Sequence, residues 1–167
     1  LYSQTDITVT PTVTSVQNID LVRSRGIEGE LVLTDVWTSG LDISASLALN
    51  DAKTLRDRQF PRAEGNHFPR IPRLRANLFA DYRFAPGWDA SLGVRHSGRQ
   101  YGTLDNSDFV DTYGAVSAFT VADAKLRWKF APHWTASLGV DNLTDTHYWV
   151  YHPYAGRTWF GELRWEL

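Results

Sequence analysis

The 167-residue sequence carries 17 Lys and Arg against 19 Asp and Glu, a formal net charge of −2, and contains neither cysteine nor methionine. That balance excludes a general polyanion binder, and the missing cysteines exclude a disulfide framework, a thiolate metal site and a cysteine nucleophile. The 43% hydrophobic share, with 12 glycines and 7 prolines, is that of a folded chain; no apolar run approaches the roughly 18 residues of a transmembrane helix, which leaves a membrane β-barrel open.

The dominant period along the chain is two. Apolar and polar residues alternate from Ile27 to Leu33, Leu41 to Leu49, Leu74 to Phe84, Trp88 to Arg95, Ala122 to Phe130, Trp134 to Val140 and Trp159 to Leu167. This predicts seven strands, with an eighth candidate before Pro11 whose alternation is poor. Strands of about 9–11 residues suit a tilted membrane crossing. In this register the apolar positions include no Asp, Glu, Lys or Arg. The opposite positions carry sixteen charges: Glu28, Glu30, Asp42, Arg75, Asp81, Arg83, Asp89, Arg95, Asp123, Lys125, Arg127, Lys129, Asp141, Glu162, Arg164 and Glu166. One apolar and one wet face is what such a separation requires.

A soluble β-sandwich or a lipocalin-like barrel carries the same stripe with the apolar side inward. Three features favour apolar-outward. Short connections at Asp35–Gly40, Ala85–Gly87 and Ala131–His133 alternate with long ones at Thr54–Pro72, Tyr101–Ala118 and Leu143–Gly156. Aromatic residues gather by the short turns (Tyr82, Phe84, Trp88, Trp128, Phe130, Trp134, Trp165) and by the long loops (Tyr101, Tyr148, Trp149, Tyr151, Tyr154, Trp159), as two interfacial girdles would. The apolar face is also rich in alanine (Ala45, Ala76, Ala80, Ala90, Ala122, Ala124, Ala136), which fills a closed core poorly but is acceptable to lipid. The fold class expected is all-β: a transmembrane antiparallel up-and-down β-barrel, of which these are the last seven or eight strands. The wet-face charges are expected to pair across strands, Asp81 and Arg83 with Asp89 and Arg95, and Lys125 and Arg127 with Asp141.

Three stretches then resemble one family. Asn142-Leu143-Thr144-Asp145, Tyr148 and Pro153-Tyr154-Ala155-Gly156-Arg157 before a final strand, Asn18 with Arg23 to Glu30, and Phe68-Pro69-Arg70-Ile71-Pro72 entering a strand all resemble TonB-dependent outer-membrane receptors. The sequence departs from many outer-membrane proteins in ending on Leu167, with Trp165 two positions earlier. The resemblance implies that residues 1–167 are the C-terminal segment of a barrel of about 22 strands, with the plug domain outside this chain. It implies the bacterial outer membrane, a periplasmic C-terminus, and long loops facing outward. The implied activity is uptake of a ferric siderophore or similar metal chelate, energised by the TonB complex through the missing N-terminal part. The implied partners are therefore that chelate, the TonB complex and outer-membrane lipid, with no nucleic acid, cofactor or enzymatic reaction.

Ligand contacts are expected from the long loops: Tyr101, Asn106, Asp108 and Tyr113 in one, Trp149 and Tyr151 in the densest aromatic cluster. Rigid aromatics bury large area at low entropy cost; the alternative for that cluster is the outer girdle. Arg62, Arg70 and Arg73 would attract an anionic chelate. Asn142, Asp145, Tyr148, Gly156 and Arg157 are read as structural, with Gly156 permitting a tight turn. His147, His152 and Asp145 match no zinc spacing, and no nucleophile is singled out. Two competing readings remain: a closed eight-stranded barrel acting as adhesin, anchor or surface enzyme, and a soluble β-sandwich module.

Overall fold

The computed structural model describes residues 18–167; the eighth strand expected before Pro11 lies outside them. Nine strands follow in order: β1 (Leu21–Leu33), β2 (Leu41–Arg56), β3 (Leu74–Ala85), β4 (Trp88–Ser97), β5 (Phe119–Ala131), β6 (Trp134–Asp141), β7 (Trp149–Val150), β8 (His152–Pro153) and β9 (Thr158–Trp165). Seven form one antiparallel up-and-down sheet in the order β1-β2-β3-β4-β5-β6-β9, while β7 and β8 form a small hairpin within the last long loop. The sheet is open: among the described residues β1 and β9 are its two edges and do not pair. All seven expected strands are present, and β1 and β2 run well past their apolar stretches.

The register carries the alternation unbroken across the sheet. Ile27 faces Leu49, Leu47 faces Ala76, Leu78 faces Val94, Ala90 faces Leu126, Leu126 faces Leu138 and Val140 faces Trp159. Opposed residues of an antiparallel pair share a face, so all the apolar positions line one side. Leu31, Leu47, Leu78, Leu92, Leu126, Leu138 and Leu163 remain exposed there, a continuous apolar surface far beyond what a soluble monomer presents. The alanines leave a shallow depression of about 530 Å³ on that side, lined by Ala80, Ala90, Leu92, Leu126, Leu138 and Trp159 among others.

The short turns close with glycine where no Cβ fits. Gly40 (φ 86°) and Gly87 (φ 77°) sit in the left-handed region, and a Cβ on either would lie 2.6 Å from a carbonyl oxygen, Arg83 O or Lys129 O. That closeness is used: Gly40 O accepts from Arg83 N at 2.9 Å, and Gly87 O from Lys129 N at 2.7 Å, so each turn extends the ladder to the next hairpin. Beside these turns the aromatics form a ribbon. Tyr82, Phe84, Trp88, Trp128 and Phe130 follow one another at centroid separations of 5.0–6.1 Å, with Trp88 stacked on Trp128, and Trp134 faces Trp165. This is the girdle expected at the short-turn end.

The wet face pairs its charges, but with partners other than those expected. Arg127 donates to Asp89 at 2.8 Å, Arg95 to Asp123 at 2.9 Å, Arg83 to Asp42 at 2.8 Å, and Lys125 lies 3.5 Å from Glu162. Asp81 instead accepts from Ser91. The reason is register: Asp42 stands opposite Asp81, a like-charge pair that Arg83 and Ser91 offset, and Asp89 stands opposite Arg127. Phenylalanines interrupt this face. Phe160 lies over Gly139, where a Cβ would collide with its ring, and Phe79 packs near Gly93.

A charge on the apolar face should be far more damaging than one on the wet face. Leu126→Arg is expected to destabilise the membrane-inserted protein by about 2–4 kcal/mol, whereas Ser44→Arg should have little effect. Urea unfolding from lipid vesicles, followed by tryptophan fluorescence, compares the two.

Candidate ligand-facing loops

Three long connections emerge at the same end of the sheet, after β2, β4 and β6. Too long to satisfy their backbones by tight turns, they bond to one another through side chains. The β2 loop begins on Asp57, whose carboxylate accepts from the amides of Gln59 and Phe60 while its own amide donates to Glu64. Arg58 reaches back to Asp20, just ahead of β1, with backbone and side-chain nitrogens 2.8–3.1 Å from the carboxylate. The Arg58 side-chain hydrogen bond is the main reason Asp20 falls from 3.8 to about 2. A depressed carboxyl contributes stability above its ordinary value, and this contribution is lost as the pH falls through about 2.

The expected ligand residues of the second loop are largely occupied with holding loops together. Asn106, at φ 55°, pairs with the backbone of His67 in both directions: its Oδ1 accepts from His67 N and its Nδ2 donates to His67 O, each at 2.9 Å. Tyr101 stacks parallel to the His67 ring at 6.0 Å, carries the Arg99 guanidinium 4.5 Å from its centroid, and accepts from Arg70 N through its carbonyl. Arg99 donates to the carbonyl of Asp108 at 2.7 Å, and the Asp108 carboxylate is mostly covered. Arg99 Nε and Asp108 Oδ2 are buried without a hydrogen-bond partner. Arg99 and His67 are participants that sequence reasoning missed. His67 and Asn106 lie 39 positions apart, and nothing in the sequence links them.

The remaining expected residues gather at the β7–β8 hairpin. Tyr113 packs edge-on against Trp149 at 5.2 Å and His152 at 5.6 Å yet stays 69% exposed. Tyr151 exchanges backbone hydrogen bonds with Gly114 and Ala115, and Arg70 sits 5.7 Å over its ring. The structure therefore brings Tyr101, Asn106 and Asp108 together around Arg99 and His67, and Tyr113, Trp149 and Tyr151 into a second group. Arg70 touches both: its amide meets Tyr101, and its guanidinium covers Tyr151.

Not all of the loop aromatics join an outer girdle. Tyr148 is 3% exposed, stacked between Phe119 at 4.2 Å and Tyr154 at 4.8 Å, and Phe119 falls in the wet-face register of β5. Of the six aromatics expected there, Trp159 alone stands on the apolar face of a sheet strand. The last loop thus carries Tyr148 inward over the wet face.

Asn142, Asp145, Gly156 and Arg157 form a clasp at the base of the last loop. Asn142, buried at φ 53°, accepts from Thr146 N and donates to the carbonyls of Thr146 and Ala155. Asp145 accepts from Arg157 N at 2.8 Å, and the Arg157 side chain donates to Leu143 O at 3.1 Å. The Arg157 amide holds the Asp145 carboxyl below its ordinary value. Gly156 does not adopt a positive φ; a Cβ there would lie 2.9 Å from Asp145 Oδ1 and would displace that carboxylate.

An open antiparallel sheet with one apolar face, an aromatic rim at its turns and braced loops at its other end defines part of the wall of an outer-membrane β-barrel. The profile of the family described as "TonB dependent receptor-like, beta-barrel" matches residues 2–143. The chain belongs to this family of bacterial outer-membrane β-barrel proteins. It is 26% identical over 134 residues to the probable TonB-dependent siderophore receptor PiuA of Acinetobacter baumannii, covering 75% of this chain and 16% of that protein. Its fold is similar to that of the unliganded ferric citrate transporter FecA (TM-score 0.73, 20% identity, 86% of this chain and 24% of the other). It is also similar to the ferric-catecholate import receptor Fiu of E. coli K12 in its closed form (TM-score 0.69, 21% identity, 86% and 21%). The chain thus spans less than a quarter of these relatives.

Burial is the main reason the Tyr148 phenol is pushed up to about 12 from 10.0. A raised phenol contributes stability that is complete below its ordinary value and is lost as the pH rises through about 12. The difference in absorbance at 295 nm between the wild type and Tyr148→Phe should therefore titrate near pH 12, with no component near 10. Gly156→Ala should break the Arg157–Asp145 bond and speed amide exchange at Arg157, measured by hydrogen–deuterium exchange.

Proposed function

We propose that this chain forms the C-terminal wall and three outward loops of a receptor that imports a ferric siderophore or similar metal chelate. The observation that carries this reading is the cross-braced set of three loops at one end of the sheet, with aromatic rings and guanidinium groups left at its surface. Bracing removes conformational freedom before a ligand arrives, so less is lost on binding. Tyr113, Tyr151 and Arg70 offer a rigid aromatic and cationic surface, suited to a bulky anionic chelate by ring contact and by charge. Siderophore and ferric-chelate receptors among the similar proteins support the same reading.

On this reading the plug and the segment engaging the TonB complex lie outside the chain. Energy reaches the ligand through the plug, because the outer membrane itself has no ATP. The wall contributes lining and loops, its short turns and C-terminus being periplasmic. The closed eight-stranded alternative is disfavoured by its candidate eighth strand, Leu1 to Thr10, which alternates poorly and carries few apolar residues.

Two measurements test this. Thr112→Cys, in the β4 loop, should be labelled by a membrane-impermeant maleimide on intact cells, and Ser39→Cys, in a short turn, only after permeabilisation; the chain itself has no cysteine to interfere. The reverse pattern overturns the orientation. Cells lacking other ferric receptors but expressing the receptor that carries this chain should accumulate iron-55 from ferric citrate or a ferric catecholate only when TonB is present. Tyr151→Ala should weaken that uptake on the order of tenfold. A folded receptor that takes up neither chelate overturns the ferric reading.

A further inference from the structure

We infer that a cavity between the wet face of the wall and the joined loops binds a small free oxyanion such as phosphate, and that this anion ties the loops to the wall. The inference goes beyond the import reading and does not depend on which chelate is carried. The loops are zipped into a small sheet of their own. Gln100 bridges Val116, Val116 bridges Val150, and Val150 pairs with His152 in the β7–β8 hairpin. Tyr151 N donates to Ala115 O at 2.8 Å and Ser117 N to Trp149 O at 2.9 Å. Beneath this sheet lies a cavity of about 250 Å³, lined by Arg75, Asn77, Arg95 and Ser97 from the wall and by Gln100, Val116 and Val150 from the loops, among others.

Positive charge is in excess there. One row of the wet face runs Ala48, Arg75, Ser97, Phe119 across β2 to β5. Neither strand beside Arg75 therefore offers it a carboxylate in that row, and among the described residues it makes no ion pair. The nearest acid of the row is Glu28, opposite Ala48, two strand spacings or about 10 Å away. Arg95 stands in the next row, opposite Asn77. It directs Nε and Nη2 to one oxygen of Asp123, at 3.1 and 2.9 Å, and Nη1 takes no part in that pair. Arg75 and Arg95 are thus diagonal neighbours of like charge with one carboxylate between them, and a shared anion would offset their repulsion. A guanidinium grips phosphate or carboxylate through parallel N–H bonds.

Size sets the class of anion. Pockets that enclose drug-sized ligands hold roughly 300–1,000 Å³, so a whole metal chelate does not fit here. At about 30 Å³ per water the space holds roughly eight waters, room for a phosphate with part of its hydration shell. The site is separate from the Tyr113, Tyr151 and Arg70 surface, none of which lines it. Gln100 is the joint: it lines the cavity, and its amide donates to Val116 O at 3.3 Å within the loop sheet. An anion held by Arg75, Arg95 and Gln100 links wall to loops.

The test uses the whole detergent-folded receptor carrying this chain, plug included. Isothermal titration calorimetry with inorganic phosphate should show saturable binding that sodium chloride of equal ionic strength does not abolish. Phosphate should also slow amide exchange at Tyr151 and Ser117, read by hydrogen–deuterium exchange. Arg75→Gln should weaken phosphate binding about tenfold, the loss of a charge-assisted contact. Gln100→Glu, which sets a carboxylate against the anion, should weaken it further. Both should remove the slowing of exchange. Arg164→Gln, at the short-turn end and paired with Glu166, should change neither reading, and ferric citrate should leave phosphate bound.

A receptor with native β-sheet circular dichroism and no saturable phosphate binding overturns the site, as does wild-type affinity in Arg75→Gln. Phosphate binding that leaves exchange at Tyr151 and Ser117 unaltered overturns the tie between loops and wall. Displacement of phosphate by ferric citrate overturns the free-anion assignment and makes the cavity a grip for a carboxylate arm of the imported chelate. If Arg75→Gln does not fold, Gln100→Glu, a loop substitution, decides. A receptor that imports a ferric chelate but binds no phosphate sinks this site alone; one that binds phosphate but imports neither chelate sinks the import reading alone.

Discussion

Lipid offers no hydrogen bonds, so every peptide group of a strand crossing it must find its partner on the neighbouring strand. In this wall that single requirement fixes the rest. Pairing sets register, register sets which side chains share a face, and the face decides what meets lipid. Ile27 with Leu49, Leu78 with Val94 and Leu126 with Leu138 are successive consequences of one unbroken parity. A slip of one residue in any strand would exchange its apolar set for charges such as Asp89, Lys125 or Arg127. A basic side chain at mid-bilayer costs about 2–4 kcal/mol, so the wet-face charges specify register as strongly as the apolar residues do. The juxtaposition of Asp42 with Asp81 is what that rigidity entails: the strands cannot slide to avoid it, so Arg83 and Ser91 offset it locally.

The two ends of the sheet solve the same backbone problem by different means. At the turn end the chain reverses within a few residues, and Gly40 and Gly87 let a carbonyl approach the next strand too closely for any side chain. At the loop end the segments are too long for that. Side chains that imitate the backbone take over: Asn106 pairs with both polar groups of His67 as a strand residue would, and Asn142 bonds Thr146 from both sides. Polar loop residues that resemble ligand grips are thereby committed to structure, and the surface left for a ligand is mainly aromatic.

How far this was legible in the sequence follows from the range of each interaction. Strand identity and face are nearest-neighbour properties, and Trp88 to Val94 alone declares them. The strand bounds were legible only where lipid imposes alternation. Beyond Leu49 the residues Asp51 and Lys53 no longer look like an apolar face, although the strand continues to Arg56. Charge partners depend on register, which two residues of slack in a turn can change, so Arg83 was placed against Asp89 when it bonds Asp42. The expected second girdle loses Tyr148 because residue type near a strand end does not tell which way a loop folds; Tyr148 turns inward onto Phe119. The Asn142–Asp145–Arg157 clasp was recognisable as a motif, but its hydrogen bonds, and the close approach that requires Gly156, were not.

The contrast between the two rims of the apolar face bears on how such a wall keeps its depth in the membrane. Aromatic rings at an interface are amphipathic and tolerate displacement along the normal, since either neighbour, head group or acyl chain, satisfies part of the ring. Cations of fixed register do not: Arg23, Arg25 and Lys53 gather on Asp51 on the face of Ile27 and Leu49, and moving Arg25 inward by one pleat repeat would bring it to the level of Ile27. Of the two rims, the braced cation cluster is therefore the one that tolerates less displacement along the membrane normal. That same rim is continuous through β2 with the loop that carries Asn66, His67 and Arg70, because Thr54 N bonds Asn66 O and Phe68 N bonds Ala52 O. The apolar stretch of the wall and the base of its first long loop are thus joined on one strand.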